Sequence, residues 1–147
     1  MRKWLILALV SLVVLSGGIN IAENEPVSQP KVSAEWLVQN NPDIIIKYAP
    51  EKTTGIAVTN ADAAKALRKE ILSRPGLGTT TAVKKGQVFV INCGLIWGTR
   101  SAAGLYYLAK IFHPDLFQDI EPEAIYREML RKFHHEELRG IWVYPAI

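Results

Sequence analysis

The sequence predicts a small α/β domain, a parallel sheet flanked by helices. Three observations carry that prediction. Two short apolar, β-branched runs, Asp43–Lys47 and Gln87–Asn92, read as buried strands. Helical periodicity separates and follows them, around Ala64–Leu72 and Ser101–Phe112. No strong hairpin signal joins one strand to the next, so the connections are crossovers and the strands run parallel.

Taken in order, Ser33 caps a short helix over Ala34–Gln39, and Glu35 in its first turn complements the helix dipole. Asn40-Asn41-Pro42 ends that helix, and the first strand follows. Tyr48–Thr59 is loop-like, with Pro50 and Gly55. Asn60 opens a helix whose apolar positions Ala64, Leu67, Ile71 and Leu72 share one face, and Pro75-Gly76 breaks it. A helical turn over Thr79–Val83 and the turn Lys84-Lys85-Gly86 lead into the second strand, which runs out into the glycine-containing loop Cys93–Thr99. Ser101–Phe112 is a helix with the stripe Ala102, Leu105, Leu108, Ala109 and Phe112, stopped by His113-Pro114. A last helix, Pro122–Phe133, has proline in its first turn and is expected to bury Ile125, Met129 and Phe133. The aromatic tail Gly140–Pro145 is expected to pack back on the domain.

The amino terminus follows a different logic. Arg2 and Lys3 precede Trp4–Leu15, apolar except for Ser11, and Ser16-Gly17-Gly18 follows. A positive start, an apolar run and small residues form a secretory signal pattern, with cleavage after Gly18 or Ala22. Trp4–Ala22 is also just long enough to remain as an anchor, since a spanning helix needs about 20 residues. Residues 1–22 are therefore assigned to a signal peptide or membrane anchor, 23–32 to a polar, proline-containing linker, and 33–147 to the folded domain. With no cysteine after the apolar run, a bacterial-type lipid anchor is excluded. Because Arg2 and Lys3 belong to this leading segment, the remaining basic residues nearly balance the 14 acidic ones. No clustered basic face marks a nucleic-acid surface.

Little in the chain suggests catalysis. Cys93 is the only cysteine, so no internal disulfide or multi-cysteine metal site exists, and it reads as a small buried hydrophobe. His134-His135 with Glu136-Glu137 lacks a third ligand at metal-binding spacing and reads as a solvated helix end. No nucleophile–base pair, phosphate loop or catalytic carboxylate pair stands out. No enzyme, cofactor or resident metal is expected.

Several segments, in order, resemble one family. They are Val32–Leu37 with Asn41–Ile46; Ile71–Leu77 through Ala82–Ile91; Gly98-Thr99-Arg100 with Gly104-Leu105 and Leu108-Ala109-Lys110; His113–Phe117; and Phe133-His134-His135 with Gly140–Pro145. Together they span residues 32–145 and look like the C-terminal lobe of the substrate-binding proteins of ABC importers for iron–siderophore, haem and cobalamin, the class III periplasmic binding proteins. The resemblance implies one lobe of a two-lobed protein in which ligand is held between lobes joined by a long helix. Here the first lobe, the connecting helix and the opening of the second lobe have no counterpart, so one sheet edge is expected to stand unpaired. Thr99 stands where the family often has proline.

Ligands in such domains meet the loops at the carboxyl ends of the strands. Tyr48 and Trp97 offer flat apolar faces there for a metal chelate or corrin-like ligand, and Arg100 offers a partner for an anionic group. Each has a plainer reading, packing for the aromatic residues and a solvated helix start for the arginine. The resemblance further implies that Glu35 docks the lobe on a membrane permease; the plainer reading is dipole complementarity. The expected role is extracytoplasmic ligand recognition with an ABC permease as partner, completed by a second lobe or by homo-oligomerisation. The rival expectation is a membrane-associated interaction domain or a remnant without ligand.

Overall fold

The computed structural model describes residues 3–6, 19–21 and 32–147. Its strands are β1 (Lys3–Ile6), β2 (Ile19–Asn20), β3 (Ile44–Ala49), β4 (Val88–Asn92) and β5 (Val143–Tyr144). Its helices are α1 (Ala34–Asn40), α2 (Asp62–Leu72), the single turn α3 (Thr81–Lys84), α4 (Ser101–Phe112) and α5 (Pro122–His134). Two short 3-10 turns, Leu77–Thr79 and Cys93–Leu95, precede α3 and follow β4. The hydrogen-bonded strand order is β2-β1-β3-β4-β5. The fold is therefore α/β, a small sheet with flanking helices, and β1 runs parallel to both β2 and β3.

The chain forms two compact units. The first comprises residues up to Tyr48 together with Lys65–Val90. Its helix α1 starts as the sequence predicts: Ser33 Oγ accepts a hydrogen bond from Trp36 N at 3.1 Å. Asn41 ends the helix in the left-handed conformation, and its N–H donates to the Leu37 carbonyl. The Asn41 side chain also accepts from Thr81 N at 2.8 Å, so one residue stops α1 and starts α3. Leu37, Ile45, Ile71, Leu77, Ala82 and Val88 form the buried core of this unit, with Trp36, Leu72 and Val83 packed partly against it. The predicted face of α2 is the observed one: Ala64 and Ile71 are buried, Leu67 and Leu72 half-buried.

The leading segment contributes strands. Trp4, Leu5 and Ile6 pair in parallel register with Ile44, Ile45 and Ile46. β1 thus pairs along one edge of β3. An apolar run of this kind satisfies strand and membrane periodicity equally well, so the sequence alone does not separate the two. The remainder of the segment assigned to export, and the linker up to residue 31, lie outside the described residues. Among the described residues no helix is long and apolar enough to cross a membrane.

The second unit comprises Ala49–Ala64 and Ile91–Ile147. In it α4 packs against α5 and against the Cys93–Leu95 turn. Both helices form where the sequence places them, but each is rotated from the expected face. In α4 the buried residues are Ala103, Gly104, Tyr107, Leu108, Ile111 and Phe112, while Ala102 and Leu105 are exposed. In α5 the buried residues are Pro122, Tyr126 and Leu130, while Phe133 is exposed.

Gly104 supplies the physical reason in α4. A Cβ at this position would overlap the carbonyl group of Leu95, so only glycine lets the helix approach the turn, and that contact fixes the rotation. A Gly→Ala change inside a helix ordinarily gains up to about 1 kcal/mol. Overpacking against backbone costs about 1–3 kcal/mol or more, and it dominates here. Gly104→Ala is expected to lower the melting temperature by roughly 5 °C; an unchanged or raised transition in calorimetry would show that the approach does not constrain the helix.

Candidate functional site

The carboxyl end of β4 lies in the second unit, and Asn92 organises it. Every residue of β4 is buried. A strand with both faces covered has to terminate its last polar groups internally. The amide of Asn92, which is fully buried, donates from Nδ2 to the carbonyl of Thr54. Its Oδ1 accepts from Gly94 N at 2.7 Å and so begins the Cys93–Leu95 turn. Its backbone N–H donates to the Trp142 carbonyl at 2.8 Å. One residue thus fixes the loop after β4, the returning segment around Thr54 and the aromatic tail.

Two further contacts close this arrangement. Gly55 and Ile141 exchange backbone hydrogen bonds in an isolated antiparallel bridge. Gly140 sits beside them with φ 87°, where a side chain would overlap the Gly55 carbonyl group. The tail therefore packs back on the domain, as its aromatic content predicts, and Trp142 is buried with its indole N–H donating to the Arg139 carbonyl at 2.7 Å.

Arg100 stands at the entry to α4. Its guanidinium lies 5.3 Å from the centre of the Trp142 ring, and Nη1 is 3.6 Å from Glu51 Oε1. Both charged side chains are about half exposed, so the ion pair contributes at most about 1 kcal/mol. Tyr126 meets the Trp142 ring edge-on, with centroids 5.1 Å apart. Its hydroxyl is buried without a hydrogen-bond partner. Burial pushes the Tyr126 phenol above its ordinary range, and the nearby Arg100 charge partly opposes that shift.

The predicted site residues separate into different settings. Trp97 is 43% exposed on the loop between the Cys93–Leu95 turn and α4, in the same unit as Arg100. Tyr48 belongs to the first unit, half-buried near the end of β3, and burial raises its phenol well above the ordinary value. Glu35 is exposed in the first turn of α1, where its own backbone N–H and the Ser33 hydroxyl hold its carboxyl below the usual range. Cys93 is half-buried, and His135 ends α5 in the left-handed conformation. Glu51, Asn92, Tyr126 and Trp142 are the organising residues that sequence reasoning missed. Asn92 had a legible signal, a polar residue closing an apolar strand just before Cys93-Gly94. Glu51 had none.

A shallow cleft of about 130 Å³ is lined by Tyr107, Glu123, Trp142, Val143, Ala146 and Ile147. Small-molecule sites usually measure about 300–1,000 Å³.

A periplasmic binding protein family profile matches residues 11–93, more than half of the chain. The chain belongs to the periplasmic binding protein family. Among solved structures it is similar to the TroA-like periplasmic binding protein FepB from Veillonella parvula, with a TM-score of 0.80 and 29% identity, over 92% of this chain and 41% of that one. It also resembles MolA, a molybdate periplasmic binding protein of a Haemophilus influenzae ABC transporter solved with molybdate, with a TM-score of 0.65 and 20% identity, over 95% and 43% of the two chains. A third likeness is Helicobacter pylori CeuE solved with Ni(II), with a TM-score of 0.61 and 20% identity, over 86% and 38%. The last two likenesses concern the fold alone. This chain spans about two fifths of the length of the structures it matches. No curated protein matches it.

Three phenols raised by burial make alkaline stability a test of the packing. Tyr48, Tyr107 and Tyr126 all have folded-state values raised above 10.0, with burial the leading cause in each. A raised phenol binds its proton more tightly when folded, so its stabilising contribution is complete below pH 10 and is lost as pH rises beyond it. Stability should fall above pH 10, and the phenolate absorbance of these three tyrosines should emerge with unfolding. Ionisation at ordinary pH in a still-folded chain would contradict the burial.

Proposed function

We propose that this chain is an extracytoplasmic ligand-recognition lobe related to the substrate-binding component of an ABC importer. Its ligand class is an iron chelate, haem, cobalamin or an oxyanion. The observation that carries this reading is the arrangement at the carboxyl end of β4: exposed Trp97 and half-exposed Arg100 stand on loops held rigid by Asn92. An exposed aromatic ring and a guanidinium carried on one loop region suit a large ligand with an anionic edge. The action is passive binding, with no bond made or broken.

Glu35 is the proposed permease contact, an exposed carboxylate at a helix start. Charge reversal at Glu35 should abolish docking on the permease while ligand binding persists; unchanged docking would reduce Glu35 to a dipole partner. The proposed extracytoplasmic location rests on Arg2-Lys3 followed by the apolar run. Residues 1–31 fused ahead of alkaline phosphatase should yield active enzyme, and an inactive fusion would remove the basis for that location.

A thermal-shift series on the full chain tests the binding reading. Ferric siderophore, haem, cobalamin and molybdate are the probes, and at least one is expected to raise the melting temperature with concentration. Trp97→Ala and Arg100→Ala should each reduce the shift. A single lobe lacks the opposing wall of a cleft, so the affinity is expected to be weaker than about micromolar. No shift from a cooperatively melting chain would remove the ligand reading.

One feature favours a second reading, an interaction domain. Ala102, Leu105 and Tyr106 make an exposed face of α4 with no charge on it. The lone cation of that helix, Lys110, is engaged with Glu121 and the Ile120 carbonyl. Uncharged exposed helix faces commonly mark association surfaces. Gel filtration across a hundredfold concentration range should show association that Leu105→Glu suppresses; a monomer throughout would oppose this reading.

A further inference from the structure

The carboxylate of Glu51 is seated rather than loosely exposed. One of its oxygens occupies the space that a side chain at Gly55 would fill. Its other oxygen, Oε1, lies 3.5 Å from where a Cβ of Gly94 would stand. Arg100 Nη1 is 3.4 Å from that same point, and Asn92 Oδ1 is 2.8 Å from it. Two side-chain-free positions therefore leave a recess in which a carboxylate faces a guanidinium. The guanidinium also lies over the Trp142 ring, which Tyr126 meets edge-on.

Resting on the ligand-binding reading above, we propose that Glu51 is a specificity-determining residue, an internal carboxylate occupying the anion seat of Arg100. The ligand class follows from the seat. It favours a group that presents two oxygens to a guanidinium as a carboxylate does, such as the edge of an anionic chelate. Binding exchanges one ion pair for another: the ligand's oxygens take Arg100, and Glu51 swings into solvent, to which it is already half open. A ligand without such an edge leaves the Glu51–Arg100 pair in place. A single weakly bound anion competes poorly with a carboxylate that is covalently present at the site. Glu51 thereby selects against small anions held by charge alone and favours ligands that add contact on Trp97.

The test compares the full chain with Glu51→Gln and Glu51→Ala, using molybdate and a ferric tris-catecholate complex as probes. Binding is read by calorimetry, and the reactivity of Arg100 toward phenylglyoxal by mass spectrometry. Both variants are expected to bind molybdate about two- to fivefold tighter than the wild type, and their Arg100 to react faster without ligand. The gain should be smaller for the catecholate complex, which has aromatic contacts as well. Having two variants guards against a folding defect in either. Equal or weaker molybdate binding in cooperatively folded variants, or unchanged Arg100 reactivity, overturns the assignment of Glu51 while leaving ligand binding intact. If the wild type and both variants bind neither probe, the Glu51 assignment falls together with the anionic-ligand reading.

Discussion

A buried amide at the end of an apolar strand has to be satisfied completely, or it costs about 1–3 kcal/mol rather than contributing. Asn92 meets that requirement with both ends of its side chain, and its backbone N–H adds a third bond. The three partners, Thr54, Gly94 and Trp142, lie far apart in sequence. The consequence reaches beyond one residue. The loop that carries Trp97 and Arg100 begins at a hydrogen bond to Asn92, and the tail that backs Arg100 ends at another. Polar satisfaction at one buried point thus sets the geometry of the exposed recognition surface.

That surface is rigid in its supports and open in its chemistry. Trp142 is buried and gripped by a backbone carbonyl, so the ring beneath Arg100 cannot follow it outward. Arg100 and Glu51 are both half exposed. Such a pair contributes little to stability. The solved relatives are more than twice the length of this chain.

The legible parts of the fold were those governed by local rules. Ser33 and Asn41 bound α1, Ser33 because its hydroxyl accepts from an unpaired N–H of the first turn, Asn41 because it takes the left-handed conformation and its N–H donates to the Leu37 carbonyl. The limits of α4 agree with the sequence reading, since a cap region and His113-Pro114 bracket it. The faces of α4 and α5 were not legible. Apolar residues surround most of α4, so periodicity offered several equivalent faces, and the choice fell to the approach of Gly104 to Leu95. In α5 the aromatic Tyr126 turned inward to meet Trp142, leaving Phe133 outside. The strand β1 was hidden for a similar reason, because an apolar run reads alike as a strand and as a membrane segment.

By itself the sequence determined the α/β class and the positions of the two main strands and the helices from residue 33 onward, and it marked Trp97 and Arg100 on the loop after the second strand. These follow from period, capping and turn chemistry, which act within a few residues. Tertiary structure decided what Arg100 faces. Glu51, Tyr126 and Trp142 are 49, 26 and 42 positions away from it in sequence, and each carries an unremarkable local pattern. They become one cluster only because Asn92 and two glycines, Gly55 and Gly94, allow the segments to approach closely, and close approach between distant segments is a property of packing.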